Sequence, residues 1–147
     1  MQLFFAPLSC SLATRIALYE SGLPAQFHQV ELSTKRLRDG RDYLAINPKG
    51  QVPALLTDDG QVLTEGPAVL QYVADLAPAS HLAPAAGTPA RYVLQQWLNY
   101  ISSEIHKGVF YLIFNPAAPA EAKTFARELV RSRYDHVAQH LTGREFL

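Results

Sequence analysis

Several common features are scarce or absent in this sequence of 147 residues. Cysteine occurs once, at Cys10, which excludes an intramolecular disulfide and any metal cluster that needs several thiolates. The 13 basic and 13 acidic residues give a net charge of zero, which excludes a polybasic surface for nucleic acid. No apolar run approaches the roughly 18 residues that cross a bilayer. We therefore expect a soluble, cytoplasmic protein that binds neither nucleic acid nor membranes.

The first 78 residues alternate between strand and helix patterns. Apolar residues that recur every three or four positions indicate helices, and short apolar runs bounded by Pro or Gly indicate strands. The predicted elements are a strand over 3–5, a helix over 11–21, a strand over 27–32, a loop over 37–40, a short helix over 42–46, strands over 52–56 and 62–64, and a helix that opens at Glu65 and Gly66. This order is a βαβ unit followed by a ββα unit, which predicts an α/β domain.

The composition changes after Pro78. Residues 79–88 are rich in Ala, Pro and Gly and have no periodicity, which is typical of a linker. Two amphipathic helices are predicted beyond it, from Pro89 to about Gly108 and from Pro119 to about Gly143. The second is expected to present to the core Phe125, Leu129, Tyr134, Val137 and Leu141. We therefore predict an α/β domain over 1–78, a linker over 79–88 and an all-α domain over 89–147.

Cys10 lies at the predicted turn between the first strand and the first helix. A helix N-terminus favours a thiolate through its unpaired N–H groups and its dipole. The alternative is a buried, inert cysteine, because free cysteine is among the most buried residue types. The position after a proline-containing turn favours the reactive thiol. It acts alone, because Ala13 stands where a Cys-x-x-Cys pair would have its second thiol.

Two backbone features are suited to a peptide-like ligand. Pro53 follows Val52 at a strand start, where a cis bond would offer the preceding backbone groups to an extended peptide. Taken alone, a trans edge-strand proline is the better interpretation. Glu65 and Gly66 open a helix, whose N–H groups can hold a carboxylate while Glu65 meets an ammonium group. The alternative there is ordinary helix capping.

A polar stripe lies on the first helix after the linker. Asn99, Ser103 and His106 are four and three positions apart, so they share one helix face. Such a stripe is most often solvated surface, but His106 can also stabilise a thiolate or act as an acid or base near neutral pH. No metal site is predicted, because His136 and His140 have no third ligand nearby.

The order of the motifs is more specific than any one of them. Ala-Pro-Leu-Ser-Cys-Ser-Leu is followed by Asn-Pro-Lys-Gly-Gln-Val-Pro-Ala-Leu and then by Leu-Thr-Glu-Gly-Pro-Ala-Val-Leu-Gln-Tyr. With Trp-Leu-Asn-Tyr-Ile-Ser-Ser-Glu-Ile-His-Lys after them, the chain resembles the cytosolic glutathione transferases along its whole length. The combination of Cys10 with His106 resembles the bacterial beta class.

The resemblance implies a thioredoxin-like N-terminal domain that holds glutathione and a helical domain that supplies the electrophile pocket. It implies that Val52 pairs with the cysteinyl backbone of glutathione ahead of cis-Pro53, and that Glu65 and Gly66 hold the γ-glutamyl end. Lys35 is a lone cation that predicts no function by itself, and the resemblance implies that it binds the glycine carboxylate. The full set implied to bind glutathione is Cys10, Lys35, Val52, Pro53, Glu65, Gly66, Asn99, Ser103 and His106.

The catalytic residues implied by the resemblance are Cys10, His106 and Ser11. Phe5 stands where many relatives have a tyrosine near the sulfur, so activation is assigned to Cys10 and Ser11. Glutathione is implied as a co-substrate and no further cofactor is expected. A homodimer is implied by the family alone.

The sequence departs from the family at its C-terminal end. A Gly-x-x-Phe-Thr-x-Ala-Asp stretch and the helix that follows it in the family are absent. We therefore expect a partial helical domain: either the chain is a fragment or a truncated variant, or another chain covers the missing surface. Expected core residues such as Trp97 and Leu129 would otherwise face solvent, which favours aggregation or partner binding.

Three functions compete at this point. The leading one is a glutathione transferase, in which the glutathione thiolate attacks a hydrophobic electrophile and Cys10 also carries thiol–disulfide exchange. The second is a glutathione-binding or assembly module with little turnover, because the helical domain is incomplete. The third is a glutaredoxin-like reductase that works through one thiol.

Overall fold

The computed structural model describes all 147 residues, Met1–Leu147. The chain divides into two compact units, Met1–Arg91 and Tyr92–Leu147, which are described separately below. The predicted boundaries at residues 78 and 88 stay predictions. None of the helices combines the length and the apolar character that crossing a membrane requires.

Unit 1 is built on a mixed sheet of five strands in the order β3-β2-β1-β4-β5. Its elements are β1 (Gln2–Phe5), α1 (Ser11–Ser21), β2 (Gln26–Glu31), β3 (Arg36–Leu37), β4 (Ala54–Leu56), β5 (Val62–Thr64), α2 (Gly66–Leu76) and a short 3-10 helix (Pro78–Ser80), followed by the first three residues of a helix that continues into unit 2. β1 runs parallel to β2 and antiparallel to β4, and β5 and β3 are antiparallel to their neighbours. The βαβ and ββα units predicted from the sequence are therefore present.

Side chains of β1 enter two cores, one on each face of the sheet, because successive residues of a strand point to opposite sides. Leu3 and Phe5 pack in a core completed by Ala17, Leu18, Leu55, Val69 and Val73. Phe4 packs on the other face in a core completed by Ala6, Val30, Leu37, Tyr43, Val52 and Ala54. The second core therefore reaches the two segments, around residues 43 and 52, that border the candidate site.

The first helix has the predicted bounds but buries a different face. Leu12, Ile16 and Tyr19 are the apolar residues that indicate the helix, and all three are exposed. The buried residues of α1 are Ser11, Thr14, Ala17 and Leu18. Three of these four side chains are short, which lets α1 lie close to its neighbours, and Leu18 is the one large apolar residue of α1 in the core.

The chain between β2 and β4 differs from its prediction. Residues 42–46 form turns rather than a helix, because Asp42 bridges to Arg36 and the N–H of Tyr43 donates to the carbonyl of Lys35. Pro48 then prevents helical continuation. Within the predicted loop over 37–40, Leu37 belongs to β3, where it pairs with Val30 and is buried.

Unit 2 contains helices only. α3 (Pro89–Tyr100) continues into a π-helical stretch (Ile101–Phe110) and then α4 (Tyr111–Phe114), and α5 spans Ala120–Leu141. The helix that begins at Pro89 therefore does not end at Gly108 as predicted, because helical structure continues to Phe114. A side chain at Gly108 would place its Cβ 3.0 Å from the carbonyl oxygen of Ser103, five residues earlier. Only glycine fits this close approach without a shift of the backbone.

The packing of α5 corrects two predictions. Trp97 is only 5% exposed, and its ring lies against His136 and His140 with centroids 5.4 and 4.5 Å apart, so the expectation that it faces solvent is wrong. Phe125 and Tyr134 were expected in the core but are exposed, whereas the small residue that is fully buried on α5 is Ala126. Leu129, Val137 and Leu141 are half-buried.

Candidate functional site

Cys10 occupies the N-cap position of α1, where the chain leaves β1 and turns into the helix. The side chain is exposed, and its Sγ donates a hydrogen bond to the carbonyl oxygen of Val52 at 3.2 Å. Cys10 is therefore not buried, contrary to the alternative, and the reactivity of its thiol stays a prediction. The helix end and Val52, which are 42 positions apart in sequence, meet at the thiol.

Ser11 stabilises the turn in which Cys10 lies. It is fully buried, and its hydroxyl accepts a hydrogen bond from the N–H of Ala6 at 3.1 Å and lies 2.6 Å from the hydroxyl of Ser9. The Ser9 hydroxyl also donates to the carbonyl of Ala6 at 2.9 Å. These contacts fix the backbone between β1 and α1. The catalytic role of Ser11 stays a prediction.

The peptide bond between Val52 and Pro53 is cis, as the resemblance implies. Val52 is buried, and Pro53 leads directly into β4. The carbonyl of Val52 faces the Cys10 thiol, so the backbone expected to pair with a peptide ligand lies beside the sulfur.

Lys35 reaches the same stretch of chain from the turn after β2. Its Nζ donates to the carbonyl oxygen of Gly50 at 2.9 Å. Gly50 has a φ of +59°, and a Cβ there would lie 3.1 Å from Leu44 Cδ2 and 3.2 Å from the Lys35 side chain. The cation predicted for a carboxylate therefore lies against the backbone two residues before Val52.

Glu65 stands immediately before α2 with a left-handed φ of +72°, which is uncommon outside glycine and costs backbone energy. Its Oε1 lies 2.7 Å from Nζ of Lys49, and the same Nζ donates to the Thr64 hydroxyl at 2.9 Å. Lys49 has no role in the sequence-based prediction, although it belongs to the Asn-Pro-Lys-Gly motif. Gly66 is the first residue of α2.

Residues 49–52, here termed the linking segment, connect all these features. Lys49 pairs with Glu65, the Gly50 carbonyl binds Lys35, and the Val52 carbonyl binds Cys10. The Gln51 carbonyl is bound by two buried side chains, Tyr43 and Asn47, which sequence reasoning did not single out. The structure therefore links three of the site residues predicted in unit 1, Cys10, Lys35 and Glu65, to the linking segment that contains Val52.

The polar stripe of unit 2 is bonded to its own helix. The Ser103 hydroxyl donates to the carbonyl of Asn99 at 3.0 Å, and the Asn99 amide donates to the carbonyl of Gln95 at 2.8 Å. His106 is half-buried, and burial together with the positive charge of Lys107 lowers its pKa below the usual 6.5. The neutral form of the His106 imidazole is therefore favoured over the charged form at pH 7. The roles of these three residues in binding stay predictions.

A separate open cavity of about 300 Å³ lies near β2 and β3 and contains no predicted site residue. Its lining residues are Phe5, Phe27, His28, Gln29, Leu37, Arg38 and Asp39. No group of three or more His, Cys, Asp or Glu side chains is arranged to hold a metal ion.

Comparison with known sequences identifies close relatives. The family model for the glutathione S-transferase N-terminal domain matches residues 9–76. Over its full length the chain is 45% identical to glutathione S-transferase GstA of Escherichia coli O157:H7 and covers 73% of that protein. It is 32% identical to glutathione S-transferase GST-4.5 of Xanthomonas campestris pv. campestris, again covering 73% of the relative.

Solved structures have the same backbone. A ternary complex of BphK, a bacterial GST, is 51% identical with a TM-score of 0.93, over 97% of this chain and 70% of that one. A sphingomonad glutathione S-transferase complexed with glutathione is 45% identical with a TM-score of 0.93, over 98% and 71%. The beta-class enzyme of Sphingomonas chungbukensis is 42% identical with a TM-score of 0.91, over 96% and 70%. The predicted fold class, a thioredoxin-like domain followed by helices, is confirmed.

Proposed function

The chain belongs to the glutathione S-transferase family and is an enzyme of that family. From this premise we propose that it binds glutathione along residues 49–52 and joins the glutathione thiolate to hydrophobic electrophiles. The observation that carries this proposal is the meeting of three side chains at residues 49–52, where Cys10 and Lys35 bind backbone carbonyls and Glu65 pairs with the Lys49 side chain. Both glutathione complexes and beta-class enzymes are found among its structural relatives.

The charges along the linking segment complement those of the ligand. Glutathione carries two carboxylates and one ammonium group, and the segment is bordered by two cations and one anion, which are Lys35, Lys49 and Glu65. Glu65 is suited to the ammonium of the γ-glutamyl end, and the N-terminus of α2 with Lys49 to its carboxylate. Lys35 is suited to the glycine carboxylate at the other end. Val52 then pairs with the cysteinyl backbone between them.

This pose brings the glutathione sulfur to the side of Val52 where Cys10 lies. In conjugation, the glutathione thiol gives its proton to solvent or to the neutral imidazole of His106. The thiolate then forms a carbon–sulfur bond with an aryl or alkyl halide, and halide leaves with the bonding electron pair. The helix end at Cys10 stabilises the sulfur anion. Leu8, which is 99% exposed two residues before Cys10, offers apolar surface to the electrophile.

Cys10 supports a second reaction, because its thiol is exposed and stands at a helix N-terminus. Its thiolate attacks one sulfur of oxidised glutathione, a new disulfide forms between Cys10 and one glutathionyl group, and the other leaves as a thiolate that takes a proton from solvent. The products are one mixed disulfide and one reduced glutathione, so no further oxidant is needed.

Intact mass under non-reducing conditions tests the site directly. After incubation with oxidised glutathione, the wild-type chain should gain one glutathionyl group, and Cys10→Ser should gain none. In parallel, conjugation of 1-chloro-2,4-dinitrobenzene should fall in both Cys10→Ala and His106→Ala. A folded wild-type chain that gains no adduct and conjugates no halide would overturn the proposal. An adduct without conjugation would instead identify a glutathione-binding module.

We also propose that the enzyme acts as a homodimer in the cytoplasm. The homodimer is inferred from the family, and the cytoplasmic location is supported by the neutral net charge and the short apolar runs. Sedimentation equilibrium of the purified chain tests the first, with a single species of one chain mass as the contradicting result. Cell fractionation tests the second.

A further inference from the structure

Two buried polar side chains converge on one carbonyl beside the site. The hydroxyl of Tyr43 donates to the Gln51 carbonyl oxygen at 2.6 Å, and the Asn47 side-chain amide donates to the same oxygen at 2.8 Å. Asn47 Nδ2 also lies 3.3 Å from the Tyr43 hydroxyl. Tyr43 is fully buried and Asn47 is 3% exposed.

Packing alone does not explain these residues. The Tyr43 ring lies in an apolar core, 5.8 Å from the ring of Phe4, where a phenylalanine would fill the same space. A buried hydroxyl or amide is costly unless it is hydrogen-bonded, and here both are satisfied by Gln51. Burial raises the pKa of Tyr43, so its hydroxyl remains a donor at all ordinary pH values.

The hydrogen bonds to the Gln51 carbonyl also fix the direction of the Val52 N–H, because both groups belong to one peptide plane. The Gln51–Val52 bond is a flat trans unit, in which the carbonyl of Gln51 and the N–H of Val52 point in opposite directions. Fixing the carbonyl toward Tyr43 and Asn47 therefore fixes the Val52 N–H away from them. Asn47 holds the segment a second time, because its Oδ1 accepts the backbone N–H of Lys49 at 3.2 Å.

We propose that Tyr43 and Asn47 are positioning residues for glutathione, which hold the Gln51–Val52 peptide plane so that Val52 presents its N–H to the cysteinyl backbone of the ligand. This inference rests on the function proposed above. Neither side chain touches the ligand in this arrangement. Their effect is on recognition of the peptide part of glutathione, not on the intrinsic reactivity of the Cys10 thiol.

Two disulfide probes separate these effects. Oxidised glutathione has the peptide backbone that Val52 recognises, whereas bis(2-hydroxyethyl) disulfide has none, and both form mixed disulfides with Cys10. We would measure both rates by intact mass for the wild type, Tyr43→Phe, Asn47→Ala and the control Tyr72→Phe. Tyr72 is a partly buried tyrosine that packs against the other core. Circular dichroism verifies that each chain is folded.

Tyr43→Phe should lower the rate ratio of oxidised glutathione to hydroxyethyl disulfide by about 3- to 10-fold, the usual effect of one lost hydrogen bond. Asn47→Ala should lower it at least as much, and Tyr72→Phe should leave it unchanged. A wild-type ratio equal to that of free cysteine would overturn the proposed glutathione site itself.

A wild-type preference that both variants retain would overturn only the positioning role. If Tyr43→Phe does not fold, Asn47→Ala decides the question by the same ratio. If both variants unfold, the positioning role is also overturned, because the two side chains would then support the fold as a whole.

Discussion

The Cys10 thiol donates a hydrogen bond to the carbonyl of Val52, 3.2 Å away across 42 positions of sequence. Cys10 belongs to the turn before α1, and Val52 precedes the cis-proline that leads into β4. A ligand residue that pairs with the Val52 backbone would therefore lie beside the thiol. In the glutathione pose proposed above that residue is the cysteinyl residue, so the backbone that binds the ligand also places its sulfur next to Cys10.

Gly50→Ala should weaken both the fold and the site. Gly50 has a φ of +59°, and a Cβ there would lie 3.1 Å from Leu44 and 3.2 Å from Lys35. We expect a loss of about 1–3 kcal/mol in the free energy of unfolding from the left-handed backbone and the crowding. The KM for glutathione should rise as well, because Lys35 must move. Urea denaturation and steady-state kinetics measure the two effects.

Gly60→Ala is the matched control for that substitution. Gly60 has a φ of +87°, but a Cβ there meets nothing within 4 Å. It should show the backbone penalty of about 1 kcal/mol without a change in the KM for glutathione. Equal KM changes in the two variants would contradict the role given to crowding at Lys35.

Glu65→Gln should raise the KM for glutathione about 10-fold, since it removes the anion proposed for the ligand's ammonium group. Lys49→Gln should raise it less, because the N-terminus of α2 shares the proposed contact with the ligand's carboxylate, whereas Glu65 is the one anion proposed for the ammonium group. Both partners are more than half exposed, so either change should cost less than about 1 kcal/mol of unfolding free energy. Kinetics at low and at 1 M salt should show the wild-type KM rising with salt. Glu20→Gln, on exposed surface, serves as the control.

Asp75 gives unit 1 a stability contribution that depends on pH. Arg91 lowers the pKa of Asp75 through their side-chain hydrogen bonds. Because the folded pKa lies below the usual 3.8, the contribution is complete above about pH 4 and is lost as pH falls through the folded pKa. Asp75→Asn should flatten this part of the pH–stability curve.

Substitution of Arg91 should destabilise unit 1 more than substitution of its partner Asp75. It is buried and also donates to the carbonyl of Pro84 at 2.7 Å, whereas Asp75 is half exposed. Arg91→Met therefore breaks two contacts and should lower the urea midpoint more than Asp75→Asn. The reverse order would contradict this account.

His106 should titrate below the usual pKa of 6.5, because burial and Lys107 disfavour its charged form. The unfolded chain then binds the proton more readily, so the histidine's contribution to stability is complete above about pH 6.5 and is lost as pH falls. NMR titration of the imidazole signals checks the value, with His106→Gln to assign the peak. A midpoint above 6.5 would be the contradicting result.

Outside residues 37–46, sequence patterns predict the order of strands and helices in unit 1, the bounds of α1 and the start of α2. They fail where tertiary contacts decide the structure. Residues 42–46 have a helical pattern, but Asp42 and Tyr43 bond to the β2–β3 hairpin instead. The exposed Leu12 shows the same limit, because periodicity marks a helix without telling which face the sheet can approach. The burial of Trp97 depends on His136 and His140, whose flat rings are not counted as apolar.

The sequence predicts those residues of the candidate site that lie within recognisable motifs. It does not predict residues that affect the site only by holding the backbone of another residue. Cys10, Val52 and Glu65 stand in recognisable motifs, and the structure brings their segments together. Tyr43 and Asn47 act on a backbone carbonyl, which any residue could supply at position 51. No residue-type pattern reports such a contact, so only the folded geometry shows it.

The linking segment has a consequence for how this site tolerates change. Its four consecutive residues attach to four different parts of the chain, the α2 entrance, the turn after β2, the buried Tyr43–Asn47 pair and the α1 entrance. Substitution at one position loosens one attachment, but inserting or deleting a single residue would put every later attachment out of register at once. The number of residues in the linking segment therefore constrains this site more than the identity of any one of them.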